Sequence, residues 1–123
     1  MVKKILVVDD DINIRILISA ALENDPRYQL LEAASGEEGL ELARRERPDL
    51  VLLDNILPGR DGFSVCRELK GDPETCLIRV MMLTAMAQEV DRRRGMAAGA
   101  DAFFTKPFSP QDLLRKVEEL LSE

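Results

Sequence analysis

The feature that most constrains this chain is a series of five short apolar runs, each separated from the next by a stretch with helical periodicity. The runs are residues 4–8 (KILVV), 28–33, 50–53 (LVLL), 80–83 and 102–105. Runs this short, with hardly any polar alternation, suit strands covered on both faces rather than a half-exposed sheet. Between the first two, Ile14, Leu17, Ile18, Ala21 and Leu22 fall on one helical stripe, and Asn24-Asp25-Pro26 ends it. Ser35-Gly36-Glu37-Glu38 has the form of a capping box. The helix it opens carries Leu40 and Ala43, then Arg44, Arg45 and Arg47 near its negative end, and Pro48 closes it. Residues 63–70 form a short helix broken by Gly71-Asp72-Pro73. Residues 87–98 form the weakest helix, with Gly95 in its interior. Ser109-Pro110-Gln111-Asp112 opens the last helix, which presents Leu113, Leu114, Val117, Leu120 and Leu121 to a core. Five βα units in succession predict an α/β fold, a parallel sheet with helices on both faces, built as one domain over residues 1–123.

The polar residues gather at one end of this arrangement. Four of the five runs finish, on the carboxyl side, in Asp9-Asp10, Asp54, Thr84 and Thr105-Lys106. In an open parallel sheet those ends share an edge, and ligands bind where the strand order reverses. With the first strand central and flanked by the second and third, Asp9, Asp10 and Asp54 converge on that crevice. Three carboxylates in one pocket repel one another, and a hard divalent cation with oxygen ligands relieves them. Three negative charges against Mg²⁺ and the Lys106 ammonium sum to zero. Such a pocket admits a dianionic phosphoryl group while one carboxylate stays free to attack phosphorus.

Composition excludes several other chemistries. The chain has no histidine, which removes a Ser-His-Asp triad and most zinc sites. A net charge of −6 argues against direct nucleic-acid binding by this domain, and aromatic residues are only 4% of the chain, too few for base-stacking surfaces. No run is long enough to span a membrane, and the amino terminus lacks the form of a secretory signal. Cys66 and Cys76 have no CxxC spacing and are expected to be reduced packing residues of a cytoplasmic protein.

The segments ILVVDDD, DLVLLDNILPGRDGF, MMLTAMA and GADAFFTKPF, in this order and spacing, resemble the motifs of the two-component response-regulator receiver domain, the family of the bacterial chemotaxis regulator. The resemblance spans essentially the whole chain. It implies a flavodoxin-like (βα)5 three-layer sandwich with strand order 2-1-3-4-5, and a phosphorylation-activated signalling switch rather than a turnover enzyme. Asp54 is then the acceptor of a phosphoryl group from a phosphohistidine of a sensor kinase or phosphotransfer protein. Asp10 binds Mg²⁺ directly, Asp9 acts largely through a water, and the backbone carbonyl of Ile56 is a further ligand. Lys106 and Thr84 meet the phosphoryl oxygens, Phe103 takes the aromatic switch position, and the Lys106-Pro107 bond is cis. The output is a change in the face formed by the fourth helix, fifth strand and fifth helix. That face engages a downstream protein or fused effector domain, with the chain a monomer or a weak phosphorylation-dependent dimer.

Plainer readings apply to several residues. Asp11 is expected to cap the first helix, Asp61-Gly62 to be turn chemistry, Met81 and Met82 to be core and its margin, and Arg92-Arg93-Arg94 to be a solvated face. Ile12 and Ile16 lie off the core stripe on a common face. With Pro107 and Phe108 they are expected to contact the helix pair of the phosphodonor. Ile56 and Met86, both apolar, are expected to restrict water and lengthen the life of the phosphate. Two other classes use related parts. Haloacid dehalogenase-type phosphatases place two acids two residues apart after the first strand, a spacing that Asp9-Asp10-Asp11 contains, but they leave Asp54 unexplained. A flavodoxin-like electron carrier needs a Ser/Thr/Gly-rich loop where this chain has three aspartates.

Overall fold

In the computed structural model, which describes residues 2–85 and 89–122, the five apolar runs are the strands of one parallel sheet. The elements are β1 (Lys3–Val8), α1 (Ile12–Leu22), β2 (Tyr28–Ala33), α2 (Gly36–Glu46), β3 (Leu50–Asp54), α3 (Gly62–Gly71), β4 (Arg79–Thr84), α4 (Glu89–Ala97), β5 (Ala102–Thr105) and α5 (Pro110–Leu121). Strand order is β2-β1-β3-β4-β5, as the resemblance implies.

Alternation along the central strands sorts the core into two halves, because successive side chains point to opposite faces. Ile5, Val7, Leu50, Leu52, Met81 and Leu83 pack with Ile18 and Leu22 of α1 and Leu113 and Val117 of α5. Leu6, Val8, Val51, Leu53, Val80 and Met82 pack on the other face with Leu40 and Ala43 of α2, Phe63, Val65, Cys66 and Leu69 of α3, and Ala98 just after α4. Both methionines are fully buried, one on each face, so neither marks a margin of the core. The difference follows from β4's place between β3 and β5, which leaves no open side.

Local chemistry explains the boundaries. Asp11 caps α1 by accepting from the Asn13 amide, and Asp61 caps α3 by accepting from the Ser64 amide, a helix-capping role more specific than a turn. Ser35 accepts from the Glu38 amide, while the Glu38 carboxylate returns to the amide of Ala34 at 2.8 Å, one residue outside the usual box. Arg47 ends α2 in a left-handed conformation (φ 47°), a position more often given to glycine. The helix expected from residue 87 begins at Glu89; Met86, Ala87 and Gln88 lie outside the described residues. Both cysteines are free thiols, and burial pushes the Cys66 thiol up to about 11. Among the described residues no helix is long and apolar enough to cross a membrane.

Candidate phosphoryl and metal site

Register places the acidic residues. Val8 of β1 lies beside Leu53 of β3, so the next residue of each chain, Asp9 and Asp54, stand side by side at the sheet's carboxyl edge. Asp54 also pairs with Leu83 of β4, which puts Thr84 one step beyond, and Thr84 pairs with Thr105 of β5. The amide of Lys106 donates to the Thr84 carbonyl at 2.8 Å, and the Lys106–Pro107 bond that follows is cis, as expected.

These side chains converge. Asp9 is fully buried, Asp54 and Thr84 are buried, and Asp10 is exposed at the pocket rim. One carboxylate oxygen from each of Asp9, Asp10 and Asp54 lies within 4.8 Å of the others. The Lys106 ammonium donates to Asp9 Oδ2 at 2.8 Å and stands 3.4 Å from Asp54 Oδ1. Asp9 Oδ1 accepts from the Asp11 amide at 2.9 Å, which turns its other oxygen towards the lysine. Asp54 Oδ1 also accepts from the Ile56 amide at 3.3 Å, which folds the following loop back over the acceptor.

The electrostatics follow from this crowding. Burial, and then the Asp9 carboxylate, push Asp54 up from 3.8 to about 6, against the pull of Lys106. Burial works against the charge on Lys106, but the Asp9 and Asp54 carboxylates outweigh it and raise its pKa above the usual lysine value. A single ammonium therefore serves two carboxylates, and the third, Asp10, faces the solvent side of the pocket. The donor set is all oxygen, which suits a hard cation. Two oxygens on opposite sides of Mg²⁺ lie about 4.2 Å apart, so a separation within 4.8 Å needs a closure of a fraction of an ångström. The residues present fit magnesium.

Close backbone approach shapes the surroundings. A Cβ on Gly62 would stand 2.0 Å from the main-chain oxygen of Asp54, and the Gly62 amide donates to the Asn55 carbonyl at 3.0 Å. This contact pulls the 55–61 loop, with the Ile56 carbonyl, against the end of β3. On the far side, the half-buried Phe103 ring lies against α4 where a Cβ on Gly95 would be 2.3 Å from it. Glycine in the middle of α4 thus makes room for an aromatic ring. Arg94 of the exposed arginine run stacks 4.5 Å above the Phe63 ring and reaches Asp61 at 3.6 Å, so this residue is more than a solvated charge.

Ile12, Ile16 and Ile56 are each more than half exposed. Pro107 is exposed, whereas Phe108 is half-buried against Phe104, with ring centroids 5.2 Å apart. Part of the Phe108 ring is therefore committed to the core beneath α5. Arg15 of α1 donates from Nη1 to the main-chain oxygen of Asp9 at 2.6 Å. Its spacing on α1, six residues after Asp9, gave no signal beyond that of an ordinary helical arginine.

Comparison with known proteins bears on the family and the fold. The family model described as the response regulator receiver domain matches residues 5–118. The alkaline phosphatase synthesis transcriptional regulatory protein PhoP of Bacillus subtilis is 42% identical over 98% of this chain and 49% of its own length. The chain spans about half the length of the curated relatives it matches. Among solved structures, the chemotaxis response regulator CheY4 of Vibrio cholerae superposes with a TM-score of 0.92 at 31% identity, covering 98% of this chain and all of that one. The receiver domain of the sensor histidine kinase PA1611 from Pseudomonas aeruginosa, with magnesium coordinated in its active-site cleft, gives a TM-score of 0.89 at 29% identity, with both chains fully covered.

Proposed function

Because this chain belongs to the response regulator receiver family, whose members are phosphorylation switches of two-component systems, we propose that Asp54 is its phosphoryl acceptor. The observation that carries the assignment is the convergence of Asp9, Asp10 and Asp54 within 4.8 Å, with Lys106 bridging the first and third. Asp54 offers a carboxylate whose protons leave below neutral pH, so at pH 7 and above it is an ionised nucleophile. Its oxygen forms a bond to phosphorus as the donor's P–N bond breaks, and the departing imidazole takes up a proton. Lys106 is already 3.4 Å from the attacking carboxylate and turns its ammonium to the phosphoryl oxygens; Thr84, at the adjacent strand end, offers its hydroxyl to the same oxygens. Asp10, Asp54 and the Ile56 carbonyl would hold Mg²⁺, with Asp9 acting largely through a water, and the ion when bound would supply positive charge to neutralise the incoming group.

Phe103 and Thr84 form the switch. Thr84 moving towards the phosphate leaves space that Phe103 fills, and the α4-β5-α5 face changes its affinity for a partner. The donor is a histidine kinase or histidine phosphotransfer protein, docking on Ile12 and Ile16 with Pro107 and the outer edge of Phe108. The output is a downstream protein or a fused effector domain, reached in the cytoplasm by a monomer or a weak phosphorylation-dependent dimer. The domain turns over no external substrate.

The test is acetyl phosphate with Mg²⁺, applied to the native chain and to Asp54→Asn. One acid-stable, alkali-labile phosphoryl group per chain on Asp54 is expected. Equal labelling of the Asn variant, or label mapped to another residue, refutes the assignment, and repeated turnover of a phosphate ester would establish a hydrolase instead.

A further inference from the structure

Asp10 is the exposed member of the acidic cluster, so its side chain is not held by packing. What aims it is the backbone, and in particular the peptide plane between Asp9 and Asp10. The oxygen of that plane is the main-chain carbonyl of Asp9. It lies past the last residue of β1, whose own ladder to β2 ends at Val8 and Ala33. Arg15 Nη1 donates to it at 2.6 Å. The Arg15 side chain is only 16% exposed, and its Nε is tied to Glu32 of β2 at 3.2 Å. The remaining polar atoms of Asp9 are also committed: its amide donates to the Ala33 carbonyl at 3.1 Å, Oδ1 accepts from the Asp11 amide and Oδ2 from Lys106.

We propose that Arg15 is a positioning residue for the metal site: by holding the Asp9 carbonyl it fixes the plane that directs the Asp10 carboxylate into the pocket. The inference rests on the magnesium reading given above. Arg15 reaches over the end of β1 from α1, while Lys106 holds Asp9 from the β5 side, so the two-residue acidic turn is gripped from both directions. A bent, planar guanidinium anchored at one nitrogen and donating from another restrains that turn more tightly than a single flexible ammonium. Partners that orient metal ligands in this way commonly change metal affinity by about 10–100-fold when removed.

Position and charge predict opposite signs, which makes the proposal testable. Removing a cation near a cation site relieves repulsion and tightens Mg²⁺, whereas releasing the peptide plane weakens it. Calorimetric Mg²⁺ titration of Arg15→Met is expected to show affinity lowered roughly tenfold. Arg15→Lys should fall between this variant and the parent, and Glu32→Gln, which leaves the bond to Asp9 in place, should stay within about threefold of the parent. In chelator, the Asp10 and Asp11 amide resonances of Arg15→Met should move while those of Leu113 and Val117 hold still. If Arg15→Met fails to fold, Arg15→Gln is held to the same criterion. Mg²⁺ affinity within twofold of the parent, or tighter, overturns the proposal. Failure of the parent itself to take up Mg²⁺ is read separately and sinks the functional reading as well.

Discussion

Replacing Asp54 with Asn should stabilise the metal-free protein, at a cost to function. Asp54 is buried beside Asp9, and its carboxyl is displaced upward from 3.8 to about 6. At about 1.4 kcal/mol per tenfold in proton affinity, this sets a ceiling of roughly 3 kcal/mol on the cost of keeping the group ionised. Water and counterions at the pocket mouth screen part of it, leaving roughly 1–2 kcal/mol. The sign follows from proton binding. Between about pH 4 and 6 the native chain holds a proton that the unfolded chain has released, so this group's contribution falls as pH rises through that window and stays unfavourable above it. Asn carries no such charge, and its carbonyl oxygen can still accept from the Ile56 amide. In urea or thermal unfolding with chelator, Asp54→Asn should therefore match the parent near pH 4 and exceed it by about 1–2 kcal/mol at pH 8, a rise of roughly 3–8 °C in midpoint. Adding Mg²⁺ at ten times its dissociation constant should raise the parent by about 1.4 kcal/mol and close most of the gap. A variant no more stable than the parent at pH 8, or one whose advantage is the same at pH 4, would show that the acidic cluster is not electrostatically strained.

Three further outcomes follow from particular contacts. Gly62→Ala places a Cβ 2.0 Å from the Asp54 main-chain oxygen, so it should cost about 1–3 kcal/mol and, by lifting the 55–61 loop, weaken Mg²⁺ binding; retained affinity by calorimetry would mean that the loop does not bear on the site. Gly95→Ala meets the Phe103 ring at 2.3 Å and should drive that ring to another rotamer, visible as a change in its aromatic NMR shifts together with a loss of about 1–3 kcal/mol in urea unfolding; unchanged shifts would exclude the notch as a determinant of the ring's place. Changing both Ile12 and Ile16 to Lys should slow phosphotransfer from the kinase at least tenfold, an order set by losing two apolar contacts, while labelling by acetyl phosphate stays nearly intact; equal kinase-driven rates would remove α1 from the docking face.

The legible part of this molecule was the part governed by periodicity. Strands covered on both faces must be apolar throughout, so LVLL announces itself and the aspartate that ends it stands out. Helix caps such as Asp11 and Ser109 were readable because a single side chain satisfies an amide two or three residues away. The roles of Arg15, Gly62 and Gly95 were not, because each depends on an approach of a few ångströms between residues brought together by the fold. The full burial of Met82 is not legible because the position of β4 inside the sheet cannot be read from its own residues. The left-handed end of α2 at Arg47 was hidden for another reason: the local residue type argues against it.

The pairing of Val8 with Leu53 has a consequence for tolerance to change. Neighbouring strands sit about 4.8 Å apart because their amides and carbonyls bond directly across the gap. The spacing between the roots of Asp9 and Asp54 is therefore a backbone constant that loop length or surface substitution leaves alone. The two anchoring acids keep their separation under replacements along α4, as long as the central strands remain zipped.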